Sequence, residues 1–103
     1  LLQIPSISYV QSTGNIMLRY FTVSQAIEYA IPKDELRMRD PKSGKRLINS
    51  DQMKSSLVGV IPTHFDFKGH YGVAINWSDG FYADIFPYDV LKLIAEEMST
   101  SRS

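Results

Sequence analysis

The sequence predicts an α+β fold: a small, mainly antiparallel sheet of about five strands, a C-terminal helix packed on it, and a short helix after the first hairpin. Three observations predict it. Two segments that alternate with period 2, residues 16–21 and 26–31, are separated only by Thr22-Val23-Ser24-Gln25, a hairpin-length connection. A third alternating segment, residues 71–77, runs into Ser78-Asp79-Gly80, whose Asp-Gly pair accepts positive φ in a tight turn. From Pro87 onward the apolar residues fall at helical spacing instead.

Residues 1–15 hold Pro5, several serines and Thr13-Gly14-Asn15 without a sustained period, and read as an irregular arm ending in a turn. Ile16, Leu18 and Tyr20 then share one strand face, as do Ile27, Tyr29 and Ile31; a single helix over residues 23–30 is the alternative. Pro32 followed by Asp34 and Glu35 suits the first turn of a short helix, which Pro41 and Gly44 limit. Asp40-Pro41-Lys42-Ser43-Gly44-Lys45-Arg46 is a turn-rich loop with a local excess of base, read either as a solvated loop or as a docking patch for an acidic surface.

Residues 49–56 are polar enough for one helical turn. The chain is expected to be extended from Leu57, with Pro62 marking an edge or a bulge before Thr63-His64-Phe65-Asp66-Phe67. Tyr71, Val73, Ile75 and Trp77 share one face and His70, Gly72, Ala74 and Asn76 the other, which marks the central strand. Residues 81–86 are the returning strand. Pro87 opens a helix whose stripe of Leu91, Ile94, Ala95 and Met98 faces the sheet. The organisation is an arm over 1–15, one domain over 16–98 and a tail over 99–103.

A chain of 103 residues supports one core. Eleven Lys and Arg balance eleven Asp and Glu, so no net field holds a phosphate backbone, and nucleic acid is not an expected partner. The absence of cysteine excludes disulfides, thiolate metal sites and cysteine nucleophiles. No apolar run reaches the length of about 18 residues that a membrane-crossing helix requires. The first residue is Leu1, which leads to the expectation of a processed precursor or an excised domain.

Residues 69–80 read Gly-His-Tyr-Gly-Val-Ala-Ile-Asn-Trp-Ser-Asp-Gly, and an aromatic-Pro-aromatic step, Phe86-Pro87-Tyr88, leads into the last helix. A fainter match is Ile31-Pro32 followed by Leu36-Arg37. With these motifs the chain, over residues 18–94, resembles the gamma-butyrobetaine hydroxylase-like N-terminal domain, a small α+β module. That family occurs alone, at the front of carnitine-pathway 2-oxoglutarate oxygenases, and at the end of some iron-sulfur carrier ATPases. Its metal-bearing members follow the Leu-Arg pair with three cysteines and the Asp-Gly turn with a histidine, a Cys3His zinc set. The matching positions here are Asp40, Lys42, Lys45 and Phe81, so the resemblance implies a scaffold that has lost its zinc. Phe81 is expected to extend the core into the former metal region beside Tyr71, Trp77 and Tyr82.

Other constellations are weaker. His64-x-Asp66 opens like an iron triad, but the only further histidine is His70. The pairs Asp34/Glu35, Asp79/Asp84 and Glu96/Glu97 fit a helix start, a turn and a solvated face, and Asn76-Trp77-Ser78 matches a glycosylation sequon at a strand end.

These observations lead to a non-catalytic interaction or scaffold module, a small accessory subunit of a larger organellar assembly. Its expected partners are other protein subunits, with no cofactor, metal or small-molecule ligand. The candidate partner surface comprises Tyr82, Asp84 and Phe86 with Lys42, Lys45 and Arg46. Two alternatives stay open: an adaptor linked to iron-sulfur handling or electron transfer, as the family's fusions imply, and an enzyme with a site around His64, Asp66 and His70. The expected location is an organelle matrix, mitochondrion ahead of plastid.

Overall fold

Alternating apolar residues build two antiparallel sheets, and a helix covers the apolar side they share. The structure is a computed structural model and describes residues 4–81 and 84–101. In the first sheet, β1 (Ser6–Val10), β2 (Asn15–Phe21) and β3 (Ala26–Pro32) lie side by side in that order. Ile16 pairs with Ile31 and Leu18 with Tyr29, so β2 buries Ile16, Leu18 and Tyr20 while Arg19 and Phe21 face out. The Thr22 N–H donates to the Gln25 carbonyl at 2.8 Å, which closes the β2–β3 hairpin and rules out one helix across it.

The first correction falls on the N-terminal arm. Ser6–Val10 is a strand, paired with β2 from Ser6 opposite Arg19 to Val10 opposite Asn15. Ile7 and Tyr9 alone carry its apolar face, and the intervening serines hide a strand whose order comes from its partner.

α1 (Lys33–Arg37) follows β3 directly, with Asp34 and Glu35 in its first turn. After the 40–46 loop come a one-turn helix, α2 (Ser50–Met53), and a 3-10 turn over Lys54–Leu57. The second sheet orders β4 (Pro62–Lys68), β5 (Gly72–Trp77) and β6 (Phe86–Pro87), with a register shift between Pro62 and His64. Instead of one sheet of about five strands, the described residues form two of three. β1 approaches β4, yet no hydrogen-bonded ladder joins them.

β5 is central, as expected, and buried on both faces: Val73, Ile75 and Trp77 on one, Gly72 and Ala74 on the other. Tyr71 departs from the expected stripe, lying in the turn before β5 and 60% exposed. The returning strand is shorter than expected. Phe81, Asp84 and Ile85 lie outside it, Tyr82 and Ala83 are outside the described residues, and among the described residues only Phe86 and Pro87 pair with β5. Pro87 thus ends an edge strand, where a missing N–H is tolerated, and α3 (Tyr88–Ser101) begins one residue later. α3 lies against β3 and β6, burying Leu91, Ile94 and Ala95 among Leu18, Ile31, Phe86 and Tyr88.

Candidate functional site

The Trp-Ser-Asp-Gly signature forms a turn in which every residue has a structural partner. Trp77 is buried, and its carbonyl accepts the Gly80 N–H at 3.0 Å, with Gly80 at φ +85°, a conformation that needs glycine. Ser78 bonds Ile61 twice: its N–H donates to the Ile61 carbonyl at 2.8 Å, and its Oγ accepts the Ile61 N–H at 3.0 Å. Asp79 Oδ1 accepts the Phe81 N–H at 3.2 Å.

Arg37, from the Leu-Arg pair on α1, reaches the same turn. Its two terminal nitrogens donate to the two Asp79 oxygens at 3.2 and 2.9 Å, a fork-to-fork pair. The guanidinium carbon lies 3.8 Å from the Phe81 ring centroid and 5.3 Å from that of Trp77, within cation–π range of both. Donation from Arg37, with the Phe81 N–H bond and the guanidinium charge, holds the Asp79 carboxyl below its usual range against partial desolvation. The two motif fragments, far apart in sequence, are thereby one cluster in space.

Phe81 corrects the expectation made for it. It is 41% exposed and lies over Arg37, where a cation rather than apolar core receives its ring. The four positions matched to zinc ligands offer no donor set for that metal. Asp40 accepts from Ser43 Oγ at 2.8 Å, and that bond, with the Lys42 and Ser43 N–H groups, holds its carboxyl below the usual range. Lys42 and Lys45 carry ammonium groups, and Phe81 has no lone pair to give. Among the described residues, no three His, Cys, Asp or Glu gather closely enough to hold a metal ion.

The base-rich loop is organised by Arg39, which the sequence reading did not single out. Its side chain is only 4% exposed. Nε and Nη2 contact Glu35 of α1, Nη1 donates to the Gly44 carbonyl at 2.9 Å, and Nη2 pairs with Glu97 of α3. Burial opposes the charge on Arg39, but the hydrogen bonds to Glu97 and Glu35 outweigh it and raise the pKa. Gly44, at φ +77°, rests on α3; a Cβ there would meet Val90 at 3.3 Å and Ile94 at 3.4 Å. Arg46 reaches Glu35 at 3.3 Å, while Lys42 and Lys45 stay exposed.

Of the proposed partner surface, Asp84, Lys42, Lys45 and Arg46 are exposed, and Tyr82 lies outside the described residues. Phe86 is a correction: at 2% exposure it belongs to the core, because the β5 ladder and α3 enclose it. Two recesses flank the loop. One, of about 360 Å³, is lined by Lys42, Tyr71, Asp84 and Ile85; the other, of about 400 Å³, includes Lys45, Leu93 and Glu97. Neither is lined by His64, Asp66 or His70. His64 and His70 are exposed, and Asp66 bonds Lys68 at 2.7 Å.

Arg39 could have been noticed as the Arg of Arg39-Asp40-Pro41, four residues after Glu35, a spacing that favours an ion pair on a helix. Its contact with Glu97 had no sequence signal, since only folding brings α3 to the loop.

The architecture is similar to that in a crystal structure of a protein of unknown function from Acidithiobacillus ferrooxidans ATCC 23270, assigned to the DUF971 family. The TM-score is 0.63 over 88% of this chain and 91% of that one, at 17% sequence identity, a likeness of fold. No family model matches the sequence, and no curated protein matches it.

Proposed function

We infer that this chain is a non-catalytic interaction module, a divergent relative of the gamma-butyrobetaine hydroxylase-like N-terminal domain that works as an accessory subunit of a larger assembly. One observation carries the reading. Trp77, Ser78, Asp79 and Arg37, the side chains that make the family motif recognisable, bond one another or the adjoining Ile61 backbone. A motif engaged in this way holds a turn and leaves no nucleophile or acid–base pair directed at a substrate. Phe81 on Arg37, in place of a histidine ligand, supports the reading of a scaffold without its metal. The likeness to a DUF971 protein supports the family assignment, since the two families are related.

The test is purification of the tagged full chain from its native source at low ionic strength, followed by size-exclusion chromatography. The expected result is co-elution with a defined partner in stoichiometric amount. Elution only as a free monomer overturns the reading.

A further inference from the structure

Resting on the reading as an interaction module, the charge map of the described chain points to one face and one kind of partner. Of the eleven Lys and Arg, Arg102 lies outside the described residues. Lys92 lies 5.5 Å from the centre of the Tyr20 ring, and the other described cations outside the loop pair with carboxylates. In the loop, Arg46 pairs with Glu35. Lys42 and Lys45 remain, the two described cations with neither a carboxylate at ion-pair distance nor an aromatic ring beneath them. Asp40, the nearest acid in sequence, bonds Ser43 instead.

The loop backbone that carries these two lysines is held in place. Arg39 ties the Gly44 carbonyl to Glu35 and Glu97, and Gly44 sits directly on Val90 and Ile94. Each lysine also opens onto a recess that presents an exposed apolar side chain, Tyr71 beside Lys42 and Leu93 beside Lys45, at 60% and 61% exposure. An ordered loop loses little freedom on binding, and exposed apolar side chains next to unpaired charges supply both area and orientation.

We propose that the 40–46 loop docks an acidic, extended segment of a partner protein. Its carboxylates meet Lys42 and Lys45, and its apolar side chains enter the recesses against Tyr71 and Leu93. Asp84 borders the recess beside Lys42 and repels carboxylates there, so the acids of the partner are confined to the loop itself; Glu97, in the other recess, is already paired with Arg39. A zero net charge suits this occupant. Two local cations neutralise a short acidic segment, whereas a nucleic acid or an anionic membrane needs an extended positive field.

The test uses the full chain and fluorescein-labelled peptides: an Asp/Glu-rich decapeptide carrying two leucines, the same peptide with alanines for the leucines, and one with lysines for the acids. Single-stranded DNA and phosphatidylserine vesicles are run alongside. The leucine-bearing acidic peptide is expected to bind tightest and to weaken severalfold between about 50 and about 300 mM salt. The double variant Lys42→Glu, Lys45→Glu is expected to weaken it about tenfold or more, Leu93→Ser less, and Lys54→Glu not at all. Unchanged binding by the double variant, absence of peptide binding, or tighter lysine-dependent binding of DNA or vesicles overturns the proposal. If a native partner co-purifies equally well with the double variant, this docking mode fails while the interaction module stands. If no partner co-purifies with either, the module reading itself fails.

Discussion

The turn at residues 77–81 and the loop at residues 40–46 are each built around a buried guanidinium, and they differ in what they leave outside. Arg37 turns its charge inward: both Asp79 oxygens and two aromatic rings take it up, while its buried Nε makes no hydrogen bond. Arg39 is tied on three sides, to α1, to α3 and to the loop carbonyl, and the loop it holds presents two lysines without ion-pair partners. The region with the recognisable motif is thus the self-contained one. The region without a motif leaves two lysines unpaired, which is why the proposed docking falls there.

The comparison breaks most visibly at Arg39. Arg39→Ala removes the nearer of two cationic partners of a largely buried Glu35 and detaches the loop from α3, an expected loss of about 3 kcal/mol in urea unfolding. Hydrogen exchange is expected to rise over residues 40–46. Arg37→Ala comes next, at about 2 kcal/mol, through loss of the forked bond and both ring contacts. It carries a pH signature as well. Because the folded Asp79 pKa is lowered, the stability it contributes is present above its ordinary value of 3.8 and is lost as pH falls below it. Acid unfolding of Arg37→Ala should therefore be shallower below about pH 4 than that of the parent chain. Parallel acid limbs would show that the pair does not hold the turn.

How much of this was legible in the sequence follows from the range of each interaction. β2, β3, β5 and α3 declared themselves because their apolar periods are intrinsic, and Gly80 because the chain needs positive φ there. β1 was hidden, since Ser6 and Ser8 take their order from pairing with Arg19 and Met17. Phe86 was placed on the surface by alternation alone, but pairing with Val73 and the start of α3 bury it. At the site, the loss of zinc ligands was readable residue by residue. The positions of Arg37 and Arg39 were not, because their partners Asp79 and Glu97 lie 42 and 58 positions further along the chain.

A smaller effect tests what stands at the ligand position. Phe81→His gives up a ring 3.8 Å from the Arg37 guanidinium and is expected to cost about 1 kcal/mol. One imidazole without thiolate neighbours makes no tetrahedral site, so zinc is expected to leave the melting temperature of this variant unchanged. Zinc-dependent stabilisation would mean that Asp40 or another carboxylate completes a site, and the turn would no longer count as closed.

The smallest expected effect is the most discriminating. Lys42→Ala combined with Lys45→Ala removes two ammoniums that make no ion pair, and the chain is expected to keep its stability within about 0.5 kcal/mol. What Lys42 contributes is its field at the exposed Asp40 carboxyl, which solvent and salt screen. A loss above about 1 kcal/mol would place the lysines inside the fold's own electrostatic network and make the loop as self-contained as the turn. Unchanged unfolding beside weakened binding would separate the two regions: Arg37 would hold a turn for the domain, and Arg39 would hold the loop that the proposed partner meets.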